Sequence, residues 1–536
     1  MLEAHENVLL MVMVQRQAGP APAWRRFAAE AEPGLRRFEA AMKVPRDAQE
    51  HRLRQILRAN AGTQFGREHG FGTVESIRDF QDRVPEADWT SVSRWVSRAK
   101  AGEKCVLTAE DPFHFERTSG SGARQKDIPY TNALLREFQS ALIVWLAALV
   151  RDCPAIAGPS YWSLSPDRSP PETTAAGTTV GSASDAGYLA GCPAERLLST
   201  LVGTTALGEA GSDWQLETLR LLAAESDLRM LSVWSPTFLL SLLDVVLDPA
   251  RTGSSVDALG KDLPRDRFRA LASAIAHRDF TKLWPNLAMI SCWTDGPSAV
   301  FAASLEALFP GTRIVPKGLF ATEGVISVSW GLGSARPVAI TSHFLEFVDD
   351  DGAASTVDEL ETGRRYRPLL TTSGGLYRYQ LGDVVEVTGF IEATPCVRFI
   401  GRDDSRSDLV GEKIDEHIAS GALCAAELPG PSILVPVVDA RPPRYLLITE
   451  AHGDRAAETV EAELCRVHHY SVARSNHQLA AVSSCRVENL AGLLHEAWQA
   501  AGRRSGDAKP SSLIVSADFA ASVIRILHAS SPGARS

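Results

Sequence analysis

Between residues 228 and 315, short apolar runs alternate with helical patterns, and this alternation constrains the fold more than any other feature. Residues 228–234 and 287–293 have the apolar character and length of buried strands. The first is followed by Ser235 as an N-cap, Pro236 as the first helical residue and a helical run over 238–247. The second leads to a helical pattern over 299–309, a Pro310-Gly311 stop and a further strand over 312–315. Strands that are apolar on both faces and alternate with helices predict a parallel sheet covered on both sides.

The texture changes after Glu323. Runs at 325–330, 338–341, 344–348, 376–379, 384–388 and 397–400 read as short strands, with Gly374-Gly375 as a tight turn. They predict an antiparallel sheet or small barrel beside the parallel one. Residues 401–407 are charged and read as a linker. Beyond it lie helical patterns at 414–424, 456–465 and 490–501 and strand patterns at 433–438, 445–449 and 480–487, which make a second α/β unit. Residues 518–528 read as an additional amphipathic helix. The region before residue 110 is mostly helical in pattern, with an Arg-rich amphipathic stretch at 50–61, whereas 167–184 reads as a loop. A chain of 536 residues is too long for one core. The expected class is therefore α/β, with a large domain over 1–401 and a smaller, mobile α/β domain over 402–536.

Charge and cysteine usage exclude some functions. With 65 acidic against 55 basic side chains the net charge is -10, which argues against general affinity for a nucleic-acid backbone. The eight cysteines never fall at CxxC spacing, so no zinc or redox motif is present, and scattered thiols suit a reducing compartment. The apolar run 8–14 is too short to span a membrane and lacks the positive flank of a signal peptide. A cytoplasmic protein is expected. Neither GxSxG nor HExxH occurs, and the adjacent His468 and His469 cannot share a helix face as a metal pair.

Three segments have the residue types that a nucleotide needs. Residues 116–126 (ERTSGSGARQK) join a strand to a helix that starts near Thr131. Glycines allow close backbone approach, hydroxyls donate and Lys126 brings a positive charge, although the loop is no Walker A motif and, taken alone, reads more readily as a Ser/Gly-rich surface turn. Residues 317–324 (KGLFATEG) follow a parallel strand, where open α/β sheets bind ligands; a Thr hydroxyl there can hold phosphate and a carboxylate can hold Mg²⁺, or the segment is a plain strand turn. Residues 375–383 (GLYRYQLGD) end in an Asp that can accept two ribose hydroxyls or serve only in a hairpin turn. Lys413 near the linker and Lys509 in Gly506-Asp507-Ala508-Lys509-Pro510 are either functional or simply solvated.

Taken in order, these segments resemble the Gretchen Hagen family of acyl acid amido synthetases, most closely its bacterial branch. The resemblance is carried by Thr63-Gln64-Phe65-Gly66, Phe115-Glu116-Arg117-Thr118-Ser119-Gly120, Ile128-Pro129-Tyr130-Thr131, Leu283-Trp284-Pro285-Asn286-Leu287 and Ile290-Ser291-Cys292-Trp293-Thr294-Asp295-Gly296. It continues through Ala321-Thr322-Glu323-Gly324, residues 376–388, residues 407–413 and the loop around Lys509. The family is auxin-responsive in plants and is grouped with acyl-CoA synthetases, adenylation domains and beetle luciferases. These enzymes condense a carboxylate with ATP to give acyl-AMP and pyrophosphate, and most family members pass the acyl group to an amine, often that of an amino acid.

The resemblance implies roles, residue by residue. Thr118, Ser119, Gly120, Ser121 and Lys126 would cradle the triphosphate. Ala321, Thr322, Phe344 and Asp383 would complete the nucleotide site, with Thr322 on the α-phosphate and Asp383 on the ribose. Glu323 would support Mg²⁺, Lys413 and Lys509 would act in catalysis, and Lys509 would be carried in by the C-terminal domain. The acid pocket would be walled by Trp145 and Ala148, on the apolar helix after the loop. ATP and Mg²⁺ are the implied cofactors; a small carboxylic acid and an amine are the implied partners, with neither nucleic acid nor membrane. One departure concerns the loop, where Gly122, Ala123 and Arg124 replace the usual pattern and side chains with a Cβ resist positive φ. Two further readings stay open: a ligase with a thiol or hydroxyl acceptor such as coenzyme A or a carrier protein, since nothing in the sequence identifies the acceptor, and, because of the altered loop, a nucleotide-binding homologue without turnover.

Overall fold

The computed structural model describes residues 20–118, 126–164, 172–181, 185–202, 214–402, 406–407, 409–410, 412–451, 454–501 and 510–530. The apolar run 8–14 lies outside them. The N-terminal region is helical as expected. In α1 (Pro20–Ala41) the buried Trp24, Phe27, Ala31, Leu35 and Phe38 recur every three or four residues, so one face turns inward, and α2 (Pro45–Asn60) packs beside it. Strands β1 (His114–Arg117) and β2 (Asp127–Tyr130) form an antiparallel pair; residues 119–125 between them lie outside the described residues. Thr131 then caps α3 (Asn132–Asp152), its hydroxyl accepting from the Leu134 amide at 3.1 Å. α3 is long and apolar enough to cross a membrane, but 72% of that window is buried inside the protein, so it is a core helix.

The parallel sheet forms as the alternation requires. β3 (Ser160–Trp162) is its edge. The stretch expected as a loop at 167–184 departs from that expectation. Its described part holds the strand Glu172–Thr173 and β4 (Thr179–Gly181), which runs parallel to β1; the His114 ring bonds Thr179 Oγ1 and the Gly181 carbonyl and ties the β-branched segment to the sheet. β5 (Met230–Ser232) is followed by Ser235, which caps α4 (Pro236–Leu247). β6 (Met289–Cys292), α5 (Ala299–Leu308) and β7 (Arg313–Pro316) complete the unit, in the strand order β3-β5-β6-β7. The sheet separates two cores. Met230, Met289 and Val315 join the cluster with α1 and α3, while Leu231 and Ile290 face the cluster with α4.

Two short strands, β8 (Phe320–Ala321) and β9 (Gly324–Val325), turn tightly after β7. The strands expected at 325–330 and 338–341 shrink to isolated bridges, Ser327 with Val338 and Pro337 with Cys396. Gly331 turns the chain between the two runs with positive φ, Pro337 offers no N–H, and the runs meet through single bonds, such as the Val328 amide to the Pro337 carbonyl at 3.1 Å and the Ala339 amide to the Ile326 carbonyl at 2.8 Å, rather than a regular ladder. The antiparallel sheet follows with β10 (Phe344–Val348), β11 (Arg365–Thr371), β12 (Asp383–Ile391) and β13 (Thr394–Arg402), edged by Ala354–Ser355 and by Tyr379–Gln380.

The C-terminal unit has its own cores. Residues 414–415 form a strand rather than a helical turn, because Asp415 caps α6 (Glu416–Ala425) by accepting from the Ile418 amide at 2.8 Å. β14 (Ser432–Val437) pairs antiparallel with β15 (Arg444–Thr449), which pairs parallel with β16 (Ser483–Arg486). Helix His468–Ser475 was not legible in the pattern. α7 (Leu490–Ala500) packs on the tail helix α8 (Ala517–Ser530), with the Trp498 and Phe519 rings 4.8 Å apart. α7 also docks this unit on the large one: Asn489 donates to Asp244 at 2.8 Å, and Leu240, Val300 and Phe301 join its core.

Candidate active site

The four parallel strands end on a common face, and two adjoining cavities lie there. The larger, about 270 Å³, opens between the sheet ends and the C-terminal unit. The smaller, about 160 Å³, lies against α3 and the ends of β3 and β5. Trp293, Lys317, Phe320, Ala321 and Thr322 line both.

The larger cavity gathers most of the expected nucleotide residues. Thr118 and Lys126 bracket the loop 119–125 and hold its ends together: the Thr118 amide donates to the Lys126 carbonyl at 2.9 Å and the Lys126 amide to Thr118 Oγ1 at 3.3 Å. Ser119, Gly120 and Ser121, like the departure at 122–124, lie outside the described residues. Lys126 Nζ reaches Tyr379 Oη at 3.0 Å and Glu323 Oε1 at 3.6 Å. Ala321, Thr322 and Glu323 form the turn between β8 and β9, and Tyr130 pins it by donating to the Thr322 carbonyl at 2.7 Å. Asp383, almost fully buried at the start of β12, sits 3.4 Å from Arg402 Nη1.

Three expected site residues fall elsewhere. Phe344 is buried at the start of β10, its ring 6.0 Å from Phe80, and is absent from the cavity wall because its strand face points into the core. Ala148 is fully buried in α3 and lines neither cavity; the face of α3 toward the small cavity carries Phe138, Leu142 and Trp145. Lys413 is exposed with φ +53 and does not line the cavity. Lys509 lies outside the described residues, but its neighbour Pro510 lines the larger cavity. The next residues are fastened there by Glu416, which accepts from Ser511 Oγ at 2.5 Å and the Leu513 amide at 3.2 Å.

The sequence pattern gave no separate weight to Lys317, which lines both cavities. It is the first residue after β7, buried, with Nζ 2.6 Å from Ser232 Oγ and 4.6 and 4.8 Å from the ring centroids of Trp145 and Trp234. Burial pulls its ammonium down to about 7. Burial also pushes the nearby Cys292 thiol up to about 12, so that thiol stays protonated. A charged residue directly after an apolar parallel strand was the available signal. Gly318 lets the chain turn beneath it: φ is +94, and a Cβ would stand 2.4 Å from the Ser327 carbonyl oxygen.

Comparison with known proteins agrees with this arrangement. The models for the GH3 family N-terminal domain and the GH3 family central domain match residues 34–248 and 337–402, just over half of the chain. The chain belongs to the GH3 family. A relative, the probable indole-3-acetic acid-amido synthetase GH3.12 of Oryza sativa subsp. japonica, is 25% identical over 451 residues, covering 71% of this chain and 73% of its own. Among solved structures, the acyl acid amido synthetase AtGH3.15 in complex with 2,4-DB superposes with a TM-score of 0.78 at 18% identity, covering 93% of this chain and 96% of that one. A 2-hydroxyisobutyryl-CoA ligase in the postadenylation state superposes with a TM-score of 0.53 at 14% identity over 89% and 91% of the two chains. The GH3 chain thus has the fold of acyl-adenylate-forming enzymes, with a large N-terminal part and a smaller C-terminal one.

Proposed function

We propose that this GH3 protein is an ATP-dependent acid–amine ligase that forms an acyl-adenylate in the paired cavities and passes the acyl group to an amine, such as that of an amino acid. The observation that carries this is convergence. Thr118, Lys126, Thr322, Glu323 and Asp383 come from three distant stretches of chain and line one cavity at the carboxyl ends of a parallel sheet. Asp383 holds the ribose, the 118–126 loop and Lys126 hold the β- and γ-phosphates, and Thr322 contacts the α-phosphate. The acid occupies the smaller cavity, and its carboxylate reaches the α-phosphate past Ala321 and Thr322, which line both spaces.

Glu323 fits a role in Mg²⁺ binding. Its carboxylate is one-tenth exposed on the cavity wall, and among the described residues no cluster of three metal-type ligands exists. A single carboxylate ligand suits Mg²⁺, which keeps waters and takes its remaining ligands from phosphates. Bound there, the ion would neutralise phosphate charge. The protein's own part is to fix the nucleotide, exclude water and place charge where it develops on the phosphoryl oxygens. Residues 1–401 act as the body and 402–536 as a lid, which brings Lys509 to the phosphates and shields the adenylate from hydrolysis. The protein works in the cytoplasm, where ATP is available and its thiols stay reduced.

The test is product identification. Enzyme, ATP and Mg²⁺ are incubated with a carboxylic-acid panel and an amino-acid mixture, and products are read by mass spectrometry. An amide formed together with AMP is expected. A thioester or ester with coenzyme A or alcohols, and no amide, would contradict the amine acceptor.

A further inference from the structure

The smaller cavity contains more hydrogen-bond donors than its own walls satisfy. Lys317 has three N–H donors when charged, and Ser232 Oγ accepts one. Asp185 lines the same cavity and acts on Lys317 through its charge. Two indole faces supply the remaining stabilisation. Of the nine buried side-chain polar atoms without a hydrogen-bond partner among the described residues, three belong to this cavity's lining: Trp145 Nε1, Trp162 Nε1 and Ser163 Oγ. Buried donors left unpaired destabilise a fold, so a local concentration of them marks a place where an acceptor arrives from outside.

Their position says which part of a ligand arrives. Trp162 and Ser163 line the smaller cavity and not the nucleotide cavity. They stand at the end of β3, the far edge of the parallel sheet from β7, whose following turn carries Thr322. An acid with its carboxylate beside Thr322 therefore extends its other end toward Lys317, Trp162 and Ser163. Resting on the ligase function above, we propose that the acid carries a second oxygen acceptor, a hydroxyl or a second carboxylate, remote from the activated carboxyl, and that Lys317, Trp162 and Ser163 receive it. The aromatic walls, Phe138, Trp145, Tyr188, Trp234 and Phe320, suit a flat or short apolar spacer between the two ends.

Matched acids test this. Acid-dependent pyrophosphate release is measured with benzoate, 4-hydroxybenzoate and terephthalate, and with hexanoate, 6-hydroxyhexanoate and adipate. The parent enzyme should prefer at least one acceptor-bearing member of a series by about tenfold or more in kcat/KM, because a site built for an acceptor rejects the analogue lacking it. Lys317→Met and the milder Trp162→Phe and Ser163→Ala should each shrink that ratio toward one. The ratio is read within each variant, so a general loss of activity does not obscure it. A parent enzyme that favours the unsubstituted acids overturns the proposal. So do variants that slow all acids alike at an unchanged ratio, which would assign Lys317 to the reactive carboxylate or to the scaffold. Pyrophosphate release that no acid stimulates would overturn the ligase function itself, and the proposal with it.

Discussion

Lys317 is expensive to bury. Its ammonium titrates near 7 in the fold against about 10.5 in an unfolded chain, so the unfolded state binds more protons between those values. Stability should therefore rise with pH from about 7 toward 10, with the penalty fully present below 7. The titratable groups around Lys317 are Cys292, Asp185 and Tyr188; burial is the largest influence on Lys317, Asp185 favours its charge, and the Cys292 thiol is neutral in this window. Lys317→Met should raise stability by roughly 1–4 kcal/mol at pH 7 and flatten that slope, as read from urea midpoints across pH. A loss of stability would mean that the Ser232 bond and the indole contacts outweigh desolvation. Asp383 makes the opposite kind of prediction. Asp383→Ala should keep the fold and weaken ATP binding by about 1.5–3 kcal/mol in calorimetry, since it removes a charged acceptor for the ribose. Unchanged affinity would assign Asp383 only to its ion pair with Arg402.

At the scale of elements, α3 joins the site to the core through one side chain. The carboxylate of Glu137 is almost fully buried. It binds Arg52 of α2, His343 Nδ1 at 2.9 Å, and the Ser373 amide and hydroxyl at 3.0 and 2.6 Å. Burial alone would raise its titration, but His343, Arg52 and Ser373 prevail and hold it below the ordinary carboxylate range. Its contribution is therefore present above the unfolded carboxylate pKa and fades as pH falls. Glu137→Ala should cost roughly 3–5 kcal/mol in chemical denaturation, because it leaves Arg52 and His343 without their partner. A change under 1 kcal/mol would show that the knot is dispensable. Much of this level was legible beforehand. The strands β5, β6 and β7 and the helices α4 and α5 follow from apolar runs and caps that act over a few residues. The Glu137 knot and the Lys317 pocket were not legible, because key partners are remote in sequence, Arg52 from Glu137 and Ser232 from Lys317 by 85 residues each, and no local period encodes such meetings. The strands expected at 325–330 and 338–341 had the β propensity, but they meet through isolated bonds and bridges, and local propensity does not specify whether a partner strand runs alongside.

Considered as a whole molecule, the chain folds two units over one cavity. Glu416 of α6 fastens the segment just after Lys509 to the wall of that cavity. Lys509→Ala should slow single-turnover adenylation by at least about tenfold, or ~1.4 kcal/mol, and leave the melting temperature nearly unchanged. A parental rate in the folded variant would remove the closing lysine from the mechanism. The central claim, that the paired cavities adenylate a carboxylic acid, is tested most directly by exchange of labelled pyrophosphate into ATP. Exchange should require an acid and Mg²⁺, should proceed without any amine, and should be lost in Asp383→Ala at low ATP. Exchange that is indifferent to the acid, or absent across a broad acid panel while ATP still binds, would contradict it.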